Sequence, residues 1–317
     1  MRIVFCGTPQ FAVPSLKYLL TEKEFEIVSV YTQPDRPRGR GQEISFSPVK
    51  EVAVAAGIEV RQPAKVRAPE VEEHLGKMAP DAIVIIAYGQ IIPARLLPIP
   101  RLGWINLHAS LLPKYRGAAP IQWAIANGET VTGNTTMRID AGMDTGEMLL
   151  QEELRFGAAE TAPELAGRLA QMGAVLMGKT LRGLAAGELV GKAQDHDGAS
   201  MAPMLKREDG RIRWERTATE IFNRMRGFAP WPGAYTEFRG KACHLRGKPS
   251  NEGKPVSNEG ALEEPGTILV EKDGVRVVCG GGSRLEITHV KQEGRKEISA
   301  GEFARGARVE NGESFEK

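Results

Sequence analysis

Three polar side chains have the types and spacing that proton chemistry requires. In the run Gly103-Trp104-Ile105-Asn106-Leu107-His108, the carboxamide and the imidazole are two positions apart. On a strand both would leave one face, while Ile105 and Leu107 leave the other. The third is Asp144, 36 residues beyond His108, in Ile139-Asp140-Ala141-Gly142-Met143-Asp144-Thr145-Gly146-Glu147. Each piece alone also reads as structure: a polar pair near a strand end, and an aspartate that forms a glycine-flanked turn. Together they put a carboxylate beside an imidazole, which sets the protonation and orientation of the ring.

The elements that would hold these residues are legible as short apolar runs that precede helical patterns. Ile3–Cys6, Ile27–Tyr31, Ala82–Ala87 and Trp104–Leu107 read as strands covered on both faces. Val13–Leu20, Val49–Ala56 and Pro69–Lys77 read as helices between them. The alternation predicts an α/β domain, Rossmann-like, with a mostly parallel sheet and helices on both faces. Such sheets bind ligands beyond the carboxyl ends of their strands, and Pro113 would end the 104 strand there. A long helix over Ala162–Leu184 closes the first domain, expected over residues 1–189.

Residues 190–205, including Asp195-His196-Asp197-Gly198, lack periodicity and read as a linker. A second domain is expected over 206–317. It has one helix, Ala218–Arg226, then glycine-punctuated strands at Ala234–Phe238, Gly266–Val270 and Val275–Cys279, the texture of a small OB-like β-barrel. Ser-Asn-Glu-Gly occurs at 250–253 and again at 257–260 in a polar stretch that reads as a surface loop.

At 317 residues, two domains are the better expectation. No apolar run reaches the length of a membrane span, and Met1-Arg2-Ile3-Val4-Phe5 reads as a strand, not an export signal. Cys6, Cys243 and Cys279 include no CxxC pair, which argues against a disulfide framework and a cysteine-rich zinc site. His74, His196, His244 and His289 lack metal spacing, so no metal is expected. A reducing cytoplasm fits.

The net charge of +2 is unevenly spread. From Leu205 to Lys248 there are 11 Lys plus Arg against 5 Asp plus Glu, a local +6. That segment suits either a solvated face or a surface for a polyanion. Gly173-Ala174-Val175-Leu176-Met177-Gly178-Lys179-Thr180 matches the GxxxxGK[ST] phosphate-loop pattern. It sits in an apolar helical pattern with no strand before it, so a nucleotide loop is not expected there. Gly7-Thr8-Pro9 lacks the dinucleotide fingerprint.

The segment Asn106-Leu107-His108-Ala109-Ser110-Leu111-Leu112-Pro113, with Arg116-Gly117-Ala118-Ala119-Pro120, resembles the signature of the formyl-tetrahydrofolate transferases. Met143-Asp144-Thr145-Gly146 is similar to their partner loop. Gly7-Thr8-Pro9, Thr32-Gln33-Pro34-Asp35-Arg36-Pro37, Ser47-Pro48-Val49-Lys50, Ala87-Tyr88-Gly89 and Pro230-Trp231-Pro232 extend the likeness along nearly the whole chain. They point to the branch that acts on methionyl initiator tRNA.

The resemblance implies a catalytic trio of Asn106, His108 and Asp144, with 10-formyltetrahydrofolate as co-substrate. Ser110, Leu111, Leu112 and Pro113 would contact the folate, and Gln90 and Ile92, from the 87–92 stretch, would line the same pocket. For the tRNA, Arg36, Arg38 and Arg40 on a glycine-containing loop would enter the acceptor stem. Lys206, Arg207, Arg211 and Arg213, with Arg224 and Arg226, would track the backbone. A cytoplasmic monomer is expected. Competing readings are the same trio acting on a glycinamide ribonucleotide or amino-sugar nucleotide, a non-catalytic RNA-binding protein, and an ATPase. A small acceptor would need neither the arginine loop nor the basic domain.

Overall fold

The computed structural model describes residues 1–38, 43–250 and 263–316. In chain order its elements begin with β1 (Arg2–Gly7), α1 (Val13–Thr21), β2 (Glu26–Tyr31), β3 (Arg36–Arg38), β4 (Glu43–Ser45), α2 (Pro48–Ala55), β5 (Val60–Arg61) and α3 (Pro69–Met78). There follow β6 (Ala82–Ile86), β7 (Trp104–His108), α4 (Pro120–Ala126), β8 (Val131–Arg138), β9 (Met148–Arg155) and α5 (Ala162–Ala186). The expected helices recur to within two residues. Local chemistry accounts for their ends: Ser47 caps α2 by accepting from the Lys50 amide, with Pro48 in the first turn. In α3, Pro69, Glu70 and Glu72 open the helix and Lys77 closes it, matching its dipole.

Seven strands form one sheet in the order β5-β2-β1-β6-β7-β8-β9. The first five are parallel, and β8 and β9 join antiparallel. The expected mostly parallel sheet is present, with two antiparallel strands added at one side. These were hidden by their residues: β8 reads Val-Thr-Gly-Asn-Thr-Thr-Met-Arg, yet Thr132, Asn134, Thr135 and Thr136 are buried. Burial of those polar groups is offset by bonds such as Thr136 Oγ1 to Thr180 Oγ1 at 2.8 Å and Asn134 Nδ2 to the Leu169 carbonyl at 2.7 Å.

Helices cover both faces. On one, Leu16 and Leu19 of α1, Val49 of α2, and Met177 and Leu181 of α5 pack with Phe5, Val84, Ile105 and Leu107. On the other, Val71 and Leu75 of α3 pack with Val4, Ile83, Ile85 and Trp104. Burying each such side chain stabilises by about 1.5–3 kcal/mol. The phosphate-loop pattern Gly173–Thr180 lies wholly inside α5. Its glycines serve packing, since a Cβ on Gly173 would fall 2.5 Å from Leu107 and one on Gly178 2.5 Å from the Tyr18 ring.

The chain divides into two units: Met1–Pro120, Val131–Phe156 and Glu164–Pro203 form the first; Ile121–Thr130, Gly157–Pro163 and Met204–Lys317 the second. Residues 192–202, within the stretch read as a linker, are hydrogen-bonded onto the first unit; Met148 and Lys192 exchange both backbone bonds at 2.8 Å.

The second unit contains α6 (Ala218–Gly227), β10 (Tyr235–Phe238), β11 (Lys241–Pro249), β12 (Ile268–Glu271), β13 (Gly274–Val278), β14 (Arg284–Gln292), β15 (Ile298–Ser299) and α7 (Ala300–Ala307). Its antiparallel sheet runs β10-β11-β14-β13-β12, with β15 on β14. The ladder between β10 and β12 is missing from that order. Residues 313–316 bridge the gap instead: Glu316 N–H donates to the Glu237 carbonyl, and Ile268 N–H to the Glu313 carbonyl. Trp214, Phe238, Phe303 and Phe315 fill the core beneath. The doubled Ser-Asn-Glu-Gly stretch falls almost entirely outside the described residues.

Candidate active site

Strand β7 realises the alternation that its residues predict. Ile105 and Leu107 join the core beneath α5, and Trp104 joins the opposite face, shared with Asn106 and His108. In register, Asn106 lies between Ile85 of β6 and Met137 of β8. It is half-buried, and among the described residues its carboxamide has no hydrogen-bond partner. Both its N–H groups are therefore available as donors.

His108 is buried, and its Nε2 lies 2.9 Å from the carbonyl oxygen of Tyr115. A carbonyl only accepts, so Nε2 carries the hydrogen of that bond. The other nitrogen, Nδ1, faces Asp144 Oδ2 at 3.7 Å. That separation exceeds a hydrogen bond. Asp144 Oδ2 also accepts the Gly117 amide at 2.8 Å. Thus one turn, 115–117, holds both the ring and its carboxylate. Tyr115 (φ 60°) and Asp144 (φ 52°) both adopt left-handed backbone, which side chains other than glycine enter only at a cost of about 1–3 kcal/mol. Tyr115 carried no sequence signal, because its contribution is a main-chain oxygen.

Residues 110–113 are fastened from β8 and β9. Thr135 Oγ1 donates to the Ser110 carbonyl at 2.7 Å and accepts from the Leu112 amide at 3.1 Å. Gln151 Nε2 donates to the Leu112 carbonyl at 2.8 Å, and Ser110 Oγ donates to the Lys114 carbonyl at 2.6 Å. Leu112 is buried; Leu111 and Pro113 are half-buried. Beyond β6, the Gln90 amide accepts from Val66 N–H and donates to the Pro63 carbonyl, and Ile92 is buried. Between them Ile91 is 88% exposed, so side-chain apolar surface in this loop comes from Ile91.

A cavity of about 310 Å³ opens beside the ends of β1 and β6, lined by Thr8, Gln33, Pro34, Asp35, Ser45, Ser47 and Gly89. The chain passes from β1 outward to β2 and β5 and returns to β6, so this is the switch point at which such sheets bind ligands. A hydrogen bond from Lys50, then one from Gln62, holds the Asp35 carboxyl below the usual range.

Of the expected tRNA contacts, Arg36 and Arg38 lie on β3, paired in backbone register with Ser45 and Glu43. Arg40 lies outside the described residues. In the second unit Lys206, Arg207 and Arg213 are exposed; Arg211 pairs with Glu237 at 3.1 Å. Arg224 stacks over Trp123 and Phe228, and burial, then the neighbouring Arg216, lowers its pKa. Arg226 is a correction. It is 6% exposed and its guanidinium donates to Asn223 Oδ1 and to the carbonyls of Gly157 and Glu160, so it braces the unit and does not face a backbone. Among the described residues no group of His, Cys, Asp and Glu could hold a metal, and no helix is long and apolar enough to cross a membrane.

A donor amide, a buried imidazole and a carboxylate at the end of a central strand define a site for acyl chemistry, and the chain belongs to the formyl transferase family. Residues 1–181 match the model of that family, described as formyl transferase, and 204–308 match its C-terminal domain. The chain is 51% identical to the methionyl-tRNA formyltransferase of Solibacter usitatus, covering 99% of this chain and 98% of that protein. It is likewise 51% identical to the methionyl-tRNA formyltransferase of Acidobacterium capsulatum, over 96% of each. The solved structure of WlaRD, a sugar 3N-formyl transferase in the presence of dTDP and 5-N-formyl-THF, superposes with a TM-score of 0.64 at 18% identity, covering 93% of this chain and 99% of that one. This last likeness concerns the fold.

Proposed function

We propose that this chain transfers the formyl group of 10-formyltetrahydrofolate to the α-amino group of methionine on initiator methionyl-tRNA, giving formylmethionyl-tRNA for the start of translation. The observation that carries the chemistry is the meeting of His108 with Asp144 beside the free Asn106 carboxamide. Half-identity along the full chain to proteins named for that acceptor supports the choice of amine.

In this reading a C–N bond forms between the amine and the formyl carbon, the bond from that carbon to the folate nitrogen breaks, and one proton passes between the two nitrogens. The carbonyl oxygen becomes an oxyanion on the way. Asn106 donates to it, and so does His108 through Nδ1 once that nitrogen has taken up the proton released by the amine, because Nε2 keeps its own hydrogen on Tyr115. Preorganised donors of this kind supply several kcal/mol. Asp144 orients the ring and helps to pass the proton, directly or through a water.

The folate lies against the Ser110–Pro113 loop. The backbone at Gln90 and Ile92, and Ile91 between them, complete an apolar wall for the flat ring. Arg36, Arg38 and Arg40 read the acceptor end, and Lys206, Arg207, Arg211 and Arg213 follow the phosphates. Residues 1–189, with 192–202 of the connecting stretch 190–205 bonded onto them, form the catalytic domain, and 206–317 the tRNA-binding domain of a cytoplasmic monomer.

The test is formyl transfer from 10-formyltetrahydrofolate to methionyl initiator tRNA, methionyl elongator tRNA and small amines, each with and without ATP. Transfer confined to the initiator and independent of ATP is expected. Equal transfer to a small amine would overturn the acceptor.

A further inference from the structure

Asp144 carries a left-handed backbone (φ 52°) in an Asp-Thr-Gly turn that protrudes between β8 and β9. Such a conformation persists only where the surroundings hold it. Asp140 holds the turn from within, accepting from Gly142 N–H and Thr145 Oγ1, and Gln194, a residue from the aperiodic stretch after α5, holds it from outside. Its Nε2 donates to the carbonyl oxygens of Asp144 and Gly146, each at 2.8 Å. A carboxamide has two N–H groups, so both are committed to this turn.

The other end of the side chain is held as firmly. Gln194 Oε1 accepts from Arg116 Nε at 3.0 Å and from Arg116 Nη2 at 2.7 Å, and both residues are 6% exposed. Arg116 lies between Tyr115, whose carbonyl takes His108 Nε2, and Gly117, whose amide takes Asp144 Oδ2. That turn is itself stitched to the same stretch: Arg116 N–H donates to the Ser200 carbonyl at 2.8 Å, Ala202 N–H to the Arg116 carbonyl at 2.7 Å, and Tyr115 N–H to Ser200 Oγ at 2.9 Å. A single amide therefore couples the loop bearing the carboxylate to the turn bearing the imidazole's acceptor.

We infer that Gln194, anchored by Arg116, is a positioning residue that holds the Asp144 carboxylate opposite His108 Nδ1, so that 194–202 completes the catalytic site. This rests on the formyl-transfer reading above. Gln194 touches neither reacting atom nor substrate in this scheme; it acts through Asp144.

The experiment is a double-mutant cycle. Formyl transfer to methionyl initiator tRNA is measured for wild type, Gln194→Ala, Asp144→Asn and the double variant, alongside hydrogen exchange of residues 140–147. Gln194→Ala is expected to lower kcat by about 10- to 100-fold, the cost of a displacement near 1 Å at a reacting group, with KM for the formyl donor changed less than about threefold. In the Asp144→Asn background the same substitution should cost little more, because the group it positions is already lost. Exchange in 140–147 should rise in Gln194→Ala.

Gln194→Glu keeps the acceptor for Arg116 and removes both donors, and should reproduce the kcat loss if the alanine variant does not fold. A full multiplicative loss in the Asp144→Asn background, or unchanged exchange in 140–147, overturns the inference while wild-type transfer stands. Absence of transfer by wild type overturns the underlying reading, which the exchange measurement does not depend on.

Discussion

His108 Nε2 donates to the carbonyl oxygen of Tyr115 at 2.9 Å, and this bond decides which edge of the imidazole is left for chemistry. Nδ1 must do whatever the ring does for a substrate. Replacing His108 by Ala is expected to lower kcat by about 10²–10⁴-fold, and Asn106→Ala by about 10²–10³-fold, with intact folding by circular dichroism. Near-normal turnover of either variant, measured in single-turnover assays, would remove it from the mechanism.

Gly117 is a position at which the site leaves no room for a side chain. Its φ is 120°, and a Cβ there would stand 2.7 Å from the Ala202 carbonyl oxygen. Gly117→Ala must move the 115–117 turn, and with it the acceptor for His108 and the amide that binds Asp144. A destabilisation of about 1–3 kcal/mol in urea unfolding is expected, together with a fall in kcat larger than the change in KM. A variant as stable and active as wild type would show that the turn tolerates displacement.

The exposed cations of the second unit should act through the polyanion's charge. Reversing Arg207 and Arg213 to Glu is expected to raise KM for the tRNA and to flatten its dependence on salt between about 50 and about 200 mM, with kcat on saturating substrate little changed. Arg226→Ala should instead lower the melting temperature, because its guanidinium braces Asn223, Gly157 and Glu160. Titrations of tRNA binding at several salt concentrations, beside thermal melts, separate the two.

Asp35 gives a pH dependence with a definite sign. Its folded carboxyl is held below the ordinary value by Lys50 and Gln62. A depressed pKa contributes stability that is present above the unfolded value, about pH 4, and is lost as pH falls through the folded one. The urea midpoint of Asp35→Asn should lie below that of wild type at about pH 7, and the two should converge as the pH falls through the folded value. A constant difference across that range would show that the carboxylate's charge contributes nothing.

Much of the first unit was legible because its strands and helices carry strong local patterns. The Ile3 and Ala82 runs are apolar on both faces, and Pro48 and Pro69 mark helix starts. Strand β8 escaped because threonine and asparagine conceal a buried strand until their partners are known. Strand β9 sits at the edge of the sheet, where its residues alternate between half-buried and exposed. In the second unit, residues 313–316 link β10 and β12 through main-chain bonds that any sequence could make, so no pattern announced them.

The residue types of the candidate site, Asn106, His108 and Asp144, and the face shared by the first two, were determined by the sequence alone, because strand periodicity is a local property. How Asp144 reaches His108 was decided by tertiary structure. It depends on the Tyr115 carbonyl, the Gly117 amide and the Gln194 carboxamide, groups brought together from 115 to 194 along the chain. Main-chain donors and acceptors are the same at every residue. Which of them point into a site is settled only when the chain has closed around it.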